Sequence, residues 1–153
     1  MINCANPKAQ YLSQKDAINS AILDVLQSGG YILGEEVRLF EEEFAAYNGV
    51  NYAVGVGSGT EALHIALRAL DVSHGDEVIT TAHTAVATAS AIALSGAKPV
   101  FVDIEPEFFT IDPNLIETAI TPRTKAIIPV HIYGQPCDIS AILEIASRHG
   151  VKV

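Results

Sequence analysis

The sequence predicts an α/β fold, a parallel-rich sheet with helices flanking it. Three observations predict this. Short apolar runs alternate with longer segments of helical period along most of the chain. Those runs are apolar along their whole length, as strands covered on both faces are. Gly, Pro, Asn and Asp sit between the segments, where the chain must turn.

The elements follow in order. Residues 10–28 read as a helix with apolar positions at Leu12, Ile18, Ile22, Val25 and Leu26. Gly29-Gly30 ends it, and Tyr31-Ile32-Leu33-Gly34 connects it to the next element. Glu35 to Tyr47 is a second amphipathic helix with Val37, Phe40, Phe44 and Tyr47 on one face. Its run Glu41-Glu42-Glu43 is a solvated face.

The pattern then changes. Tyr52 to Val56 is expected as a short buried strand, and Thr60 to Leu70 as a helix apolar nearly all round and hence buried. A strand is expected at Glu77–Thr80, a helix of small residues at Thr84–Leu94 and a strand at Pro99–Val102. After a turn through Pro106, Asp112 opens a short helix at Pro113–Ala119, with proline at the first helical position. Asp103 is expected to serve that turn. Lys125–Val130 is a strand, and Ile139–His149 a helix stopped by Gly150. Val151-Lys152-Val153 then reads as the start of another strand. A strand runs about five or six residues, so the sequence reads as a piece of a longer chain, cut inside a core strand.

Composition excludes several function classes. Hydrophobic residues make up 49% and charged residues 18%, enough to build a core and too apolar for disorder. No apolar run reaches the length of a bilayer span, and the N-terminus shows no secretory signal. The net charge of −9 argues against nucleic acid and anionic membrane as partners. Cys4 and Cys137 lie far apart without a CxxC pattern, and the five histidines show no ligand spacing. A disulfide framework and a zinc site are both disfavoured, no metal is expected, and a cytoplasmic location fits.

One turn carries chemistry. Gly57-Ser58-Gly59-Thr60 stands between the expected strand and its helix. Two glycines would let the backbone turn sharply and let a ligand approach. Ser58 or Thr60 can cap the helix through a hydroxyl. The first helical amides have no partner within the helix, and with the helix dipole they form an anion site. The same residues also suit a plain glycine-rich connection with a capped helix. Spacing removes two phosphate-binding rivals. A dinucleotide fingerprint starting at Gly55-x-Gly57 needs glycine at Thr60, and a P-loop needs a lysine that follows neither glycine.

Around this turn the chain resembles the DegT/DnrJ/EryC1/StrS family of pyridoxal-phosphate (PLP) sugar aminotransferases. The residues that carry the resemblance run in family order. They are Tyr31 to Gly34, Gly57 to Leu63, Gly75 to Ile79, Thr84 to Thr88, Pro99 to Asp103, Thr124 to His131, and Tyr133 to Pro136. The resemblance implies the aspartate-aminotransferase (fold type I PLP) fold. Residues 1–153 would be the N-terminal portion of its large domain, with 1–34 as a helical arm.

The resemblance also implies roles. Ser58, Gly59 and Thr60 would hold the PLP phosphate. The family commonly stacks an aromatic side chain on the pyridine ring, just after the threonine of a Thr-aromatic pair. Here that position is Ala85, a departure, and His83 is the candidate to cover the ring instead. A histidine there equally suits capping or hydrogen bonding near the start of its helix. Tyr31 lies in a segment the family places near substrate, and it equally suits a packed loop aromatic. His131, Tyr133 and Gln135 follow a strand end and would serve either the site or a structural hinge.

PLP transamination further needs a lysine to hold the cofactor as a Schiff base and a carboxylate beside the pyridine nitrogen. The family carries both past Val153, so no catalytic residue is expected within this sequence. The expected function of the full-length protein is transfer of an amino group, from glutamate, to a keto carbon of a nucleotide-linked sugar. Nucleotide-sugar and amino-acid substrates and a homodimer are the implied partners. The alternatives are a sugar dehydratase of the same family and a non-catalytic, regulatory or inactive relative.

Overall fold

The computed structural model describes residues 5–153, so Cys4 lies outside the described residues. The chain divides into two compact units, Met1–Gly55 and Val56–Val153.

The first unit is helical. Helix α1 spans Pro7–Ser13, α2 Lys15–Ser28 and α3 Glu35–Asn48. The single helix expected at 10–28 is therefore two. Asn6 caps α1 by accepting from the Ala9 amide, and Pro7 fits its first position, so a turn of helix forms earlier than the apolar period suggested. Gln14 then leaves helical geometry at φ −127° and ψ 18°, which breaks the run. Gly29 takes the left-handed conformation that closes α2, at φ 72°. On α3, Arg38 bonds Glu35 one turn back and Glu42 one turn on; Glu42 and Glu43 are exposed as expected, whereas Glu41 is half-buried and holds a backbone amide.

The stretch Tyr52–Val56 is not a strand, and it is not buried. Tyr52 is 87% and Val54 76% exposed, and no ladder reaches them. An extended segment needs a neighbour to take its backbone groups. Here the Gly55 amide donates to the Glu41 carboxylate at 2.7 Å instead.

The second unit is a three-layer α/β sandwich. Its elements are α4 (Gly59–Ala69), β1 (Glu77–Thr81), α5 (Val86–Leu94), β2 (Lys98–Val102), α6 (Pro113–Ala119), β3 (Thr124–Ile127) and α7 (Ile139–His149), with a 3₁₀ turn at Ile132–Gly134. The sheet order is β2-β1-β3, and both pairings are parallel. Val151 to Val153 adds no full strand, but Lys152 makes a parallel bridge to Ala126, as a starting strand would. β1 is central and buried at every residue.

Alternation along β1 divides the core in two. Ile79 faces one cluster with Val102, Ile111, Ile116, Ile127 and Ile142, residues of β2, β3, α6, α7 and the loop before α6. Val78 faces another with Leu67, Val72, Ala91, Ile92 and Ala126, on the side of α4 and α5. Small residues on α5 let it approach α4 and the sheet closely. α4 is less buried than its composition suggested. Only Leu67 is fully inside, while Ile65 and Leu70 stay exposed, because a single stripe of the helix meets its neighbours.

β3 is shorter than expected because Pro129 has no amide to donate. The ladder's last bond runs from the Ile128 amide to the Ile79 carbonyl, and the Thr80 hydroxyl donates to the Ile128 carbonyl. The turn after β2 is held by two acids, and the Asp103 carboxylate accepts the Ile104 amide at 2.8 Å as expected. The Glu105 carboxylate accepts the amides of Glu107, Phe108 and Thr110.

The start of β1 holds a paired acid. Glu77 is buried, and its carboxylate accepts from the Thr121 hydroxyl at 2.6 Å and from Arg123 at 2.7 Å. The Thr121 bond, with Arg123 behind it, holds the Glu77 carboxyl below its ordinary value of 4.5. A lowered folded-state value means the stabilisation is present above the unfolded value and is lost as pH falls through the folded one. Glu77→Gln is therefore expected to flatten the acid limb of a stability-against-pH curve below about pH 4.5. Urea midpoints measured across that range check it, and parallel curves for the two proteins would refute it.

Candidate functional site

The second unit places three connections at the carboxyl ends of its strands or the start of α4. They are the turn before α4, the β1–α5 loop and the segment after β3. In open α/β sheets this is the end that binds ligands.

The turn before α4 is a capped helix start whose first amides are open. Ser58 is the N-cap, extended at φ −163° and ψ 161°, and its hydroxyl accepts from the Glu61 amide at 3.2 Å. The Glu61 carboxylate reaches back to the Gly57 amide at 2.9 Å. Ser-x-x-Glu is the spacing of a capping box, a signal readable from the sequence but not used there, although here the glutamate takes the amide before the cap and not that of Ser58. With those amides taken, Gly59 and Thr60 remain as the first two helical residues. Among the described residues neither amide has a hydrogen-bond acceptor. Two free amides at the positive end of an 11-residue helix, flanked by two hydroxyls, suit a phosphate.

The glycines act by space rather than by turning the backbone. Neither lies in the left-handed region. A Cβ on Gly57 would meet the Glu61 carboxylate at 2.9 Å, whereas a Cβ on Gly59 would meet nothing within 4 Å. Gly57 thus keeps the capping carboxylate in place, and Gly59 leaves the cradle open.

The β1–α5 loop carries His83, Thr84 and Ala85. α5 begins at Val86, two residues later than expected, so all three stand on the loop rather than on the helix. Ala85 is the N-cap residue and offers no side-chain cap. The Thr84 and Thr88 hydroxyls share a hydrogen bond of 2.8 Å, which closes the first turn. His83 does not cap the helix. Its ring lies edge-on to Tyr133, with centroids 5.7 Å apart and planes at 69°.

After β3, His131 has a structural partner, accepting the Cys137 amide on Nδ1 at 3.0 Å. Gln135 bonds the adjacent Pro136 carbonyl. Burial pushes the Cys137 thiol up, so it is not a reactive thiolate. Tyr31 belongs to the first unit, where it is 65% exposed and donates its hydroxyl to the Leu26 carbonyl of α2. Among the described residues no cluster of His, Cys, Asp or Glu suits a metal ion, and no helix is long and apolar enough to cross a membrane.

The model of the DegT/DnrJ/EryC1/StrS aminotransferase family matches residues 13–153. The chain belongs to this family. Across all 153 residues it is 51% identical to a UDP-2-acetamido-2-deoxy-3-oxo-D-glucuronate aminotransferase of Pseudomonas aeruginosa, spanning 43% of that protein. It is 52% identical over 144 residues to a "pleiotropic regulatory protein" of Geobacillus stearothermophilus, covering 94% of the chain and 39% of the relative. Among solved structures, S. venezuelae DesV with a ketimine intermediate superposes at TM-score 0.93 and 49% identity, over 95% of this chain and 39% of that one. NtdA of Bacillus subtilis, with bound cofactor PMP, superposes at 0.90 and 41% identity, over 92% of this chain and 32% of that one. The chain thus spans about two fifths of the length of the relatives it matches.

Within this DegT/DnrJ/EryC1/StrS chain, the fold expectation holds. The parallel sheet and its flanking helices are part of the architecture of PLP aminotransferases.

Proposed function

We propose that this chain forms the phosphate-binding part of a PLP-dependent aminotransferase that acts on a keto carbon of a nucleotide-linked sugar. The single observation that carries the reading is the open cradle at Ser58-Gly59-Thr60, with two unpartnered amides and two hydroxyls at the start of α4. Relatives named as UDP- and dTDP-sugar transaminases support the substrate class. Glutamate is the proposed amino donor, a homodimer the proposed assembly and the cytoplasm the proposed location.

The residues present fit the cofactor at its phosphate end. The Gly59 and Thr60 amides and the Ser58 and Thr60 hydroxyls would hold the phosphate. His83, at the carboxyl end of β1, would lie against the pyridine ring, and Ala85 beside it leaves that face uncrowded. Tyr31 is assigned to the substrate side. When bound, PLP supplies an electron sink that lets an amino group move between two carbon skeletons. This chain's residues bind and orient the cofactor, and by holding the phosphate they fix the position of the ring.

Pyridoxamine 5′-phosphate tests the cradle, because it has no aldehyde to react with surface lysines. It is expected to bind at least about tenfold more tightly than pyridoxamine, since each charge-assisted bond contributes about 1.5–3 kcal/mol and 1.4 kcal/mol is tenfold. Equal affinities by calorimetry would sink the reading. In the protein carrying this sequence, glutamate should yield 2-oxoglutarate beyond one equivalent per bound cofactor only when a keto nucleotide-sugar is supplied to take the amino group. The regulatory name of the Geobacillus relative favours one second reading, a binding protein without turnover. Tight cofactor binding with no 2-oxoglutarate would select it.

A further inference from the structure

We infer that Tyr133 is a positioning residue, which holds the His83 imidazole in the orientation that faces the cofactor ring. The inference rests on the ring-facing reading of His83.

Three observations carry it. First, His83 needs an outside guide. It stands on a loop, and among the described residues no hydrogen bond holds either imidazole nitrogen; its amide alone is tied, to the Thr81 hydroxyl. Second, Tyr133 is the ring packed against it, edge to face at 5.7 Å. That geometry is one of the preferred ones for an aromatic pair.

Third, Tyr133 occupies a conformation that local structure alone does not favour. Its backbone is left-handed, at φ 54° and ψ 20°, inside the 3₁₀ turn Ile132–Gly134. A bulky side chain is disfavoured there, and glycine would adopt it freely. Backbone strain of this kind clusters at binding and catalytic sites. The topology explains how the two meet. β1 and β3 are parallel neighbours, so the segments leaving their carboxyl ends emerge side by side.

Pyridoxamine 5′-phosphate affinity and the imidazole resonances of His83, followed by NMR in the protein carrying this sequence, test the inference. Tyr133→Ala should shift the His83 ring resonances in the ligand-free protein and weaken the ligand about 2- to 10-fold, the range of an aromatic pair. Tyr133→Phe keeps the ring and should restore both. Tyr133→Gly removes the ring but relaxes the backbone, so it should lose affinity while its melting temperature stays equal or rises. A merely structural tyrosine would show the reverse, with lower stability and unchanged affinity. In a His83→Ala background, Tyr133→Ala should add no further loss.

Unmoved His83 resonances in both Tyr133→Ala and Tyr133→Gly would overturn the inference. So would a full loss in the His83→Ala background. If His83→Ala alone leaves affinity unchanged, the ring-facing reading falls, and with it the role assigned to Tyr133. If His83→Ala weakens binding but Tyr133→Ala does not, only the role of Tyr133 falls.

Discussion

Ser58→Asp is expected to remove measurable binding of pyridoxamine 5′-phosphate while the melting temperature stays unchanged. The two effects separate because Ser58 has two jobs. As N-cap it accepts the Glu61 amide, and aspartate accepts that bond as well as serine does. As part of the cradle it faces the proposed phosphate, and there aspartate puts a carboxylate against a dianion. One charge-assisted bond of about 1.5–3 kcal/mol is lost. Two like charges at about 4 Å add between about 1 kcal/mol in water and about 4 kcal/mol near a protein surface. The sum predicts a loss of about a hundredfold or more. Ser58→Asn keeps the cap without the charge and should fall between. Calorimetric titration of all three, beside thermal melts, is the measurement. Wild-type affinity in Ser58→Asp would show that the phosphate lies elsewhere.

Ile79→Ala should destabilise the second unit by about 2–5 kcal/mol, the range for removing a large aliphatic side chain from a closed core. Ile79 is fully buried on the central strand, among Val102, Ile111, Ile116, Ile127 and Ile142. Its backbone carbonyl also takes the last ladder bond from β3, so the surrounding chain is tied and has little freedom to collapse into a void. Ile65→Ala is the control. Ile65 is 46% exposed on α4, and its change should stay within about 0.5 kcal/mol. Urea unfolding with an unchanged slope would report both values. A cost below about 1 kcal/mol for Ile79 would mean that the core relaxes around it.

Much of the fold was legible because local chemistry and tertiary structure agree in the second unit. Asp112 and Pro113 open α6 where proline and the capping acid demand, and Gly150 ends α7 in the left-handed conformation. The site was legible in part for the same reason. Ser58 is a cap because serine before a helical run is one, and the free amides follow from any helix start.

The errors share a cause of another kind. Tyr52–Val56 has a strand's composition but no strand beside it, and its Gly55 amide turns to the Glu41 carboxylate instead. α4 has apolar residues nearly all round, but burial is set by what packs against it. Glu105 joins Asp103 in holding its turn, because three amides converge on the Glu105 carboxylate once the turn is folded.

By itself, the sequence determined the family, the alternation of strand and helix, and the serine cap that opens α4. Each depends on residue type at short spacing, and short spacing is written along the chain. The Glu61 bond that takes the Gly57 amide and leaves Gly59 and Thr60 free is local as well, so what remained for the tertiary structure was long-range contact. The tertiary structure alone brought Tyr133 to His83, 50 positions apart in the numbering, because parallel pairing of β1 and β3 delivers both loops to one end of the sheet. Contacts of that range depend on strand order and register, which local propensity does not encode.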